Sequence, residues 1–309
     1  MDISRTILMG VLATGCVAAE PELADTTQHS EVANGTSFNG ISLNGISLNG
    51  ISLNGISLNG ISLNGISLNG TDLTGVVGAT MTAELSNGAT LALRIDDATT
   101  GTGTNADVGM FAVSYDSDLG WQPLCGRGVD GQPVLAVAVP GVWNMAIGSA
   151  GGGSYVPSAE LMTFACRGKT IAKCVELGYK PWLGREDHLA SCVRLLRSDF
   201  CGDGTAYTVD GNQVNLYDAL GIQTDTMAWT VEAEWTPDGA RCISAARYTR
   251  FQESGGIVPP CATSLSRGKT CGVFGSGAVL IDEIPAPTST TPTISTTTKT
   301  SAKLSAARL

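Results

Sequence analysis

Eight consecutive five-residue units occupy residues 36–75, and the six central ones are identical copies of Ile-Ser-Leu-Asn-Gly. A period this strict restricts the segment to stacked copies of one small unit or to a low-complexity spacer, and excludes an enzyme core there. Within a unit the first and third side chains share one face of an extended strand while Ser points the other way. Asn-Gly then turns the chain, because both residues adopt positive φ at little cost. Each unit reads as a miniature strand plus corner, and stacking the units buries an Ile/Leu face.

The residues before the repeat read as an export signal. Arg5 precedes an apolar run over 6–15 that is too short to span a bilayer. The run ends in Leu12-Ala13-Thr14-Gly15-Cys16, which resembles the lipobox of bacterial lipoproteins. That resemblance implies cleavage before Cys16 and a lipid on its sulfur. Here Leu12 stands one place early, and Ala13 takes the position the family gives to leucine. The alternative is ordinary signal-peptide cleavage after Val17-Ala18-Ala19. With no second apolar run of spanning length, the expected product is soluble or tethered, touching membrane only through the Cys16 lipid.

Nine cysteines less Cys16 leaves Cys125, Cys166, Cys174, Cys192, Cys201, Cys242, Cys261 and Cys271. An even set in an exported chain predicts four disulfides. None of these pairs has the close spacing of a zinc knuckle, and the only histidines are His29 and His188. Each bridge stabilises by about 2–4 kcal/mol, while spacing alone leaves the pairing open. The net charge of −10 comes from acids spread through the body, and the last 24 residues hold Lys299, Lys303 and Arg308 without an acid. That balance argues against a nucleic-acid partner. The glycine-rich stretch 148–153 is followed by Ser154-Tyr155-Val156-Pro157, not by the Lys-Ser/Thr a phosphate cradle needs, so no cofactor is expected.

Five regions follow: a signal peptide (1–15), a polar tether (16–35), the repeats (36–75), a cysteine-rich domain (76–284) and a disordered Ser/Thr-rich tail (285–309). The repeats resemble the pentapeptide-repeat family, which implies a four-sided right-handed β-helix of about two coils. The outer units, Thr-Ser-Phe-Asn-Gly and Thr-Asp-Leu-Thr-Gly, fit that family. The central units place Ile where it wants a small inward residue. In the main domain, 81–85 and 90–95 flank Asn87-Gly88 as a hairpin, and 108–115 and 133–139 read as further strands. Ile171, Cys174 and Val175 share a helix face that ends at Gly178. Leu189, Cys192, Val193 and Leu196 form a second stripe, with Glu186 and Asp187 at its start and Arg194 and Arg197 near its end, as the helix dipole favours. The expected fold is α+β: a strand-rich, disulfide-stapled domain with two short helices, preceded by a short pentapeptide-type β-solenoid.

Three sets of residues carry candidate chemistry. Glu232 and Glu234 lie two apart in a strand, so both carboxylates project to one side, a pairing that suggests the acid and nucleophile or base of glycoside hydrolysis, with Trp229 and Trp235 as stacking surfaces. The plainer reading turns Val231, Ala233 and Trp235 inward and leaves a solvated acidic face, where Gln replacements cost no more than about 0.5 kcal/mol. Asp199, Asp203 and Asp210, punctuated by Gly202, Gly204 and Gly211, offer oxygens for calcium, but Asp-Gly is also ordinary turn chemistry, and no metal is expected. His188 neighbours Asp187 on a helix, where adjacent residues do not face each other, and no Gly-x-Ser-x-Gly elbow is present.

The segments Phe164-Ala165-Cys166-Arg167-Gly168, Ile171-Ala172-Lys173-Cys174 and Gly178-Tyr179-Lys180-Pro181-Trp182 stand close together. They continue into Cys192-Val193-Arg194-Leu195-Leu196-Arg197 and then Ser198-Asp199-Phe200-Cys201. Together with Trp121-Gln122-Pro123-Leu124-Cys125-Gly126 and the run from Trp229 to Trp235, they resemble the ADYC domain of secreted proteins from myxobacteria and their relatives, over roughly residues 85–284. Ser198-Asp199-Phe200-Cys201 stands where that family's Ala-Asp-Tyr-Cys gives it its name. The resemblance implies an exported, cysteine-rich domain behind a lipobox and assigns no catalytic residue. The resulting expectation is a lipid-anchored envelope protein acting as a non-catalytic binding or structural module for an extracellular ligand. The alternative is a glycan hydrolase using Glu232 and Glu234.

Overall fold

The computed structural model describes residues 36–39, 52–53, 56–62, 73, 75–85, 90–144, 148, 152–158, 161–208, 212–245, 247, 258–266, 271–274 and 277–285. The export segment, the tether, most repeat positions, Asp210 and the tail from 286 lie outside the described residues. In chain order the first strands are β1 (Thr36–Asn39), β2 (Ser52–Leu53), β3 (Ile56–Ser62), β4 (Thr80–Leu85), β5 (Thr90–Thr100) and β6 (Gly109–Tyr115). Next come β7 (Gln122–Pro123), β8 (Ala136–Pro140), β9 (Val142–Asn144), β10 (Ser154–Val156) and β11 (Leu161–Cys166). Helices α1 (Thr170–Glu176) and α2 (Glu186–Arg197) follow. The remainder is β12 (Asn212–Asp218), β13 (Thr230–Thr236), β14 (Gly239–Ile243), a short α3 (Ala262–Ser266) and β15 (Leu280–Ile284). No helix among the described residues is long and apolar enough to cross a membrane.

Period-two burial organises the first sheet. Met81 and Ala83, Leu93 and Ile95, Phe111 and Val113, Ala136 and Ala138, and Met162 and Phe164 form one buried cluster. The sheet runs β11-β8-β6-β5-β4-β3, and β3 also pairs with β11, so these strands close on themselves through antiparallel pairs. Residues of opposite parity, Met110, Val137, Val139 and Ala165, belong to a second core with α1 and α2. Strands β6, β8 and β11 are therefore buried on both faces, which explains their continuous apolar runs.

The second sheet has the order β1-β12-β15-β13-β14. It contributes Val214, Leu216, Ala233, Trp235 and Leu280 to the helical core, where α2 packs on β13, β14 and β15 while α1 packs on α2 and on β11 of the first sheet. Both helices form where the apolar stripes place them, and Gly178 takes φ +103 just beyond α1, as the end of a helix demands. All eight domain cysteines pair: Cys125–Cys166, Cys174–Cys192, Cys201–Cys261 and Cys242–Cys271, with Cα separations from 5.4 to 6.0 Å. The second of these bridges joins α1 to α2 directly.

The repeat differs from the expected stack of corners where it is described. Strand β3 continues through Asn59-Gly60, and the register slip between Leu58 and Gly60 against β4 replaces the corner. The first unit forms β1 and extends the second sheet beside β12. In both places repeat backbone pairs with the main domain, and β3 pairs as well with the repeat strand β2.

Candidate functional site

Strand β13 overturns the expected acidic face. Glu232 is fully buried and Glu234 is 4% exposed, beside the buried Ala233 and Trp235. The reason is local: the register of β13 against β15 shifts between Val231 and Ala233, and against β14 between Glu234 and Trp235. These irregularities break the simple alternation and turn both carboxylates into the protein.

Each carboxylate meets a structural partner. Glu232 Oε1 accepts the Arg247 backbone N–H at 2.6 Å and Oε2 accepts its Nε at 2.6 Å, while Arg247 Nη2 also bonds Asp282 Oδ2. Asp282 Oδ1 accepts Trp235 Nε1–H at 2.7 Å and the Ala233 N–H at 3.2 Å. Glu232, Arg247 and Asp282 are all buried. Burial, reinforced by the Glu232 carboxylate, pushes the Asp282 carboxyl well above its ordinary range. Glu234 Oε1 accepts the Gly272 and Val273 N–H groups at 3.0 and 3.1 Å, holding the segment that follows Cys271. Trp235, one of the proposed sugar platforms, is fully buried. These groups hold the sheet together and present no open face to a glycan.

The motif at the end of α2 is likewise a structural knot. Ser198 ends the helix in the left-handed region at φ +52. Asp199 is fully buried; its Oδ2 accepts Arg194 Nη1 at 2.5 Å and the Gly204 N–H at 3.0 Å. Phe200 stacks on Trp235 with centroids 5.2 Å apart, and Cys201 bridges to Cys261. Gly202 follows because a Cβ there would sit 1.9 Å from the Asp238 carbonyl oxygen. Arg194, expected near a helix end as a dipole partner, is buried and donates to the carbonyls of Gly152, Gly153 and Pro237. It ties the glycine-rich loop and the β13–β14 turn to α2. Of the calcium candidates, Asp199 is thus neutralised by Arg194, Asp203 Oδ1 accepts the Thr205 N–H at 2.9 Å in a turn, and Asp210 lies outside the described residues. The described residues contain no cluster that would hold a metal ion.

An open cleft lies elsewhere, where the turn 103–107, the end of α1, the 3-10 turn Pro181–Leu183, the start of α2 and the loop after β12 converge. Its volume is about 620 Å³, and its polar lining includes Asn105, Asp107, Glu176, Lys180, Arg185 and Gln223. The Gly178–Trp182 segment builds one wall. Lys180, only 3% exposed, donates Nζ to the Thr104 carbonyl at 2.6 Å and to Asp107, whose other oxygen accepts Trp182 Nε1–H at 2.9 Å. Burial alone would raise the Asp107 carboxyl, but the Lys180 and Trp182 bonds outweigh it and hold it below the usual value. Tyr179 donates its hydroxyl to Asp218 at 3.0 Å and stacks against His188. Burial lowers the His188 pKa, with Asp218 and Asp187 opposing. Arg185 reaches back to the Gly178 carbonyl at 2.7 Å, and Gln223 donates to the Leu177 carbonyl at 2.7 Å.

Sequence reasoning passed over Arg185, Gln223, Arg247 and Asp282. A buried arginine reads like a surface one until its partner is known, and Arg247 meets Glu232 only through a separation of fifteen residues. One signal was available: Arg194 lies four residues after Ala190, on the flank of the apolar stripe of α2.

A family model described as the ADYC domain matches residues 71–249. The match takes in the whole cleft lining and the Ser198–Cys201 motif but stops short of Cys261, Cys271 and β15. No curated protein and no solved structure matches the chain.

Proposed function

The chain belongs to the ADYC-domain family, and from that premise we propose that it is an exported, lipid-anchored envelope protein whose domain binds a small ligand without transforming it. The observation that carries this reading is a contrast. The acidic pair that would have performed hydrolysis is closed inside the second sheet, whereas the cleft bounded by Asn105, Lys180, Arg185 and Gln223 is open. A preformed concavity with a few convergent polar groups is the usual shape of a small-molecule site. Four disulfides fit an oxidising compartment, and Cys16 after an apolar run fits lipidation. No observation favours the hydrolase reading.

The test is a thermal-shift screen of small metabolites on the full chain, with product analysis of every hit. The expected result is a ligand that raises Tm and is recovered unchanged. Recovery of a cleaved product, lost on substitution of a single cleft residue, would contradict the non-catalytic reading. For the anchor, mass spectrometry of the mature N-terminus is expected to find a lipid-modified Cys16, and a start at Glu20 would refute it.

A further inference from the structure

Charge compensation is uneven around the cleft. Lys180 is engaged by Asp107 and the Thr104 carbonyl. Glu176 accepts Arg167 Nε at 2.6 Å. Asp218 is consumed by the N–H groups of Leu220, Ile222 and Gln223 and by the Tyr179 hydroxyl. Arg185 alone of the cleft's charged side chains has no ion-pair partner among the described residues; its one hydrogen bond goes to the Gly178 carbonyl. A guanidinium offers five N–H donors in a planar fork, so most of its capacity is left unused. Arg185 is also the residue before α2, a twelve-residue helix with no side-chain cap, whose first amides lack intrahelical partners. Glu186 and Asp187 in that first turn form no ion pair with it among the described residues.

Apolar side chains line the same cleft. Leu183 and Leu220 are 52% and 59% exposed, and Ile222 and Leu177 complete the lining. A ligand complementary to both features carries one planar negative group and a short hydrocarbon body. A single uncompensated cation matches one negative charge, which favours a carboxylate over a dianionic phosphate. We propose that the cleft binds small aliphatic carboxylates, with the carboxylate in the fork of Arg185 and the hydrocarbon against Leu183 and Leu220. This rests on the reading of the domain as a binding module and narrows the ligand class.

The test follows the Trp182 indole N–H signal of the full chain by NMR, since Asp107 holds that group at the edge of the cleft. The probes are sodium isovalerate, its uncharged analogue isovaleramide, inorganic phosphate and glucose. Isovalerate is expected to shift the signal saturably, with isovaleramide weaker by about tenfold or more, one lost charge-assisted contact. Arg185→Gln is expected to weaken isovalerate by a similar factor. Arg185→Lys, which keeps the charge without the fork, is expected to fall between and guards against a folding artefact in the Gln variant. Equal binding of acid and amide, unchanged binding by Arg185→Gln, tighter binding of phosphate, or no response to isovalerate would each overturn the proposal. A response to glucose without one to isovalerate would sink the carboxylate assignment while leaving the binding reading standing.

Discussion

Two charged regions of this domain solve opposite problems. In the second sheet, Glu232, Arg247 and Asp282 are buried together, each hydrogen-bonded, and burial together with the neighbouring Glu232 carboxylate pushes the Asp282 carboxyl upward. Around the cleft, Lys180 and Asp107 neutralise each other while Arg185 has no counter-ion among the described residues. A closed set of charges is sensitive to any missing member, because removal leaves buried donors or acceptors without the partner they had. An open, uncompensated charge costs little to remove and is free to meet a ligand. The contrast separates groups that maintain the fold from groups available for binding.

The largest break in that contrast comes from the closed set. Glu232→Ala leaves Arg247 facing Asp282 alone and is expected to destabilise by about 3–5 kcal/mol, measured by urea unfolding of the oxidised domain. Next is the bridge between the helices. Replacing Cys174 and Cys192 together by Ala removes a cross-link of sequence separation 18 and is expected to cost about 3 kcal/mol, read from the same transition under non-reducing conditions.

Asp282→Asn sharpens the comparison, because a neutral amide keeps the shape of the carboxyl while offering Arg247 a poorer partner; a loss of about 1–2 kcal/mol at neutral pH is expected. Its pH dependence has a definite sign. A carboxyl raised in the folded state holds a proton that the unfolded chain releases above about pH 4, so its contribution to stability declines as pH rises from there. The deficit of Asp282→Asn relative to the parent protein should therefore be greater near pH 4 than near pH 8. Asp107 runs the other way. Its lowered carboxyl contributes stability above its unfolded pKa and loses it as pH falls, although its partial exposure keeps the effect small. A paired pH series on the parent and Asp282→Asn proteins checks this, and a deficit that grows with pH would contradict the assignment.

Much of the scaffold was legible because local chemistry and tertiary packing agree. The stripes of Ile171, Cys174 and Val175 and of Leu189, Cys192, Val193 and Leu196 formed the two helices, and Gly178 closed the first. Strands β4 and β5 pair across the Asn87-Gly88 segment with Glu84 opposite Thr90, as a hairpin there requires. Pairing of all eight domain cysteines also followed from their even number in a chain read as exported. The acidic face was misread because period-two alternation presumes a regular ladder with one wet side. Irregular register around Glu232 and Glu234, together with Arg247 arriving from a distant turn, made a buried strand look solvated. The repeat was misread at Asn59-Gly60 because Asn-Gly permits a corner without compelling one, and pairing with β4 and β11 favours extension. The cleft had no signature at all, since its walls come from five separate segments.

The contrast between the two regions is tested most directly by comparing urea unfolding of Glu232→Gln and Arg185→Gln with the parent protein at pH 7. Glu232→Gln removes a buried counter-charge and is expected to lower stability by about 3 kcal/mol or more. Arg185→Gln removes one hydrogen bond at an open cleft and is expected to cost less than about 1 kcal/mol. A near-neutral Glu232→Gln, or an Arg185→Gln variant as damaged as the buried one, would contradict the division between closed framework and open site.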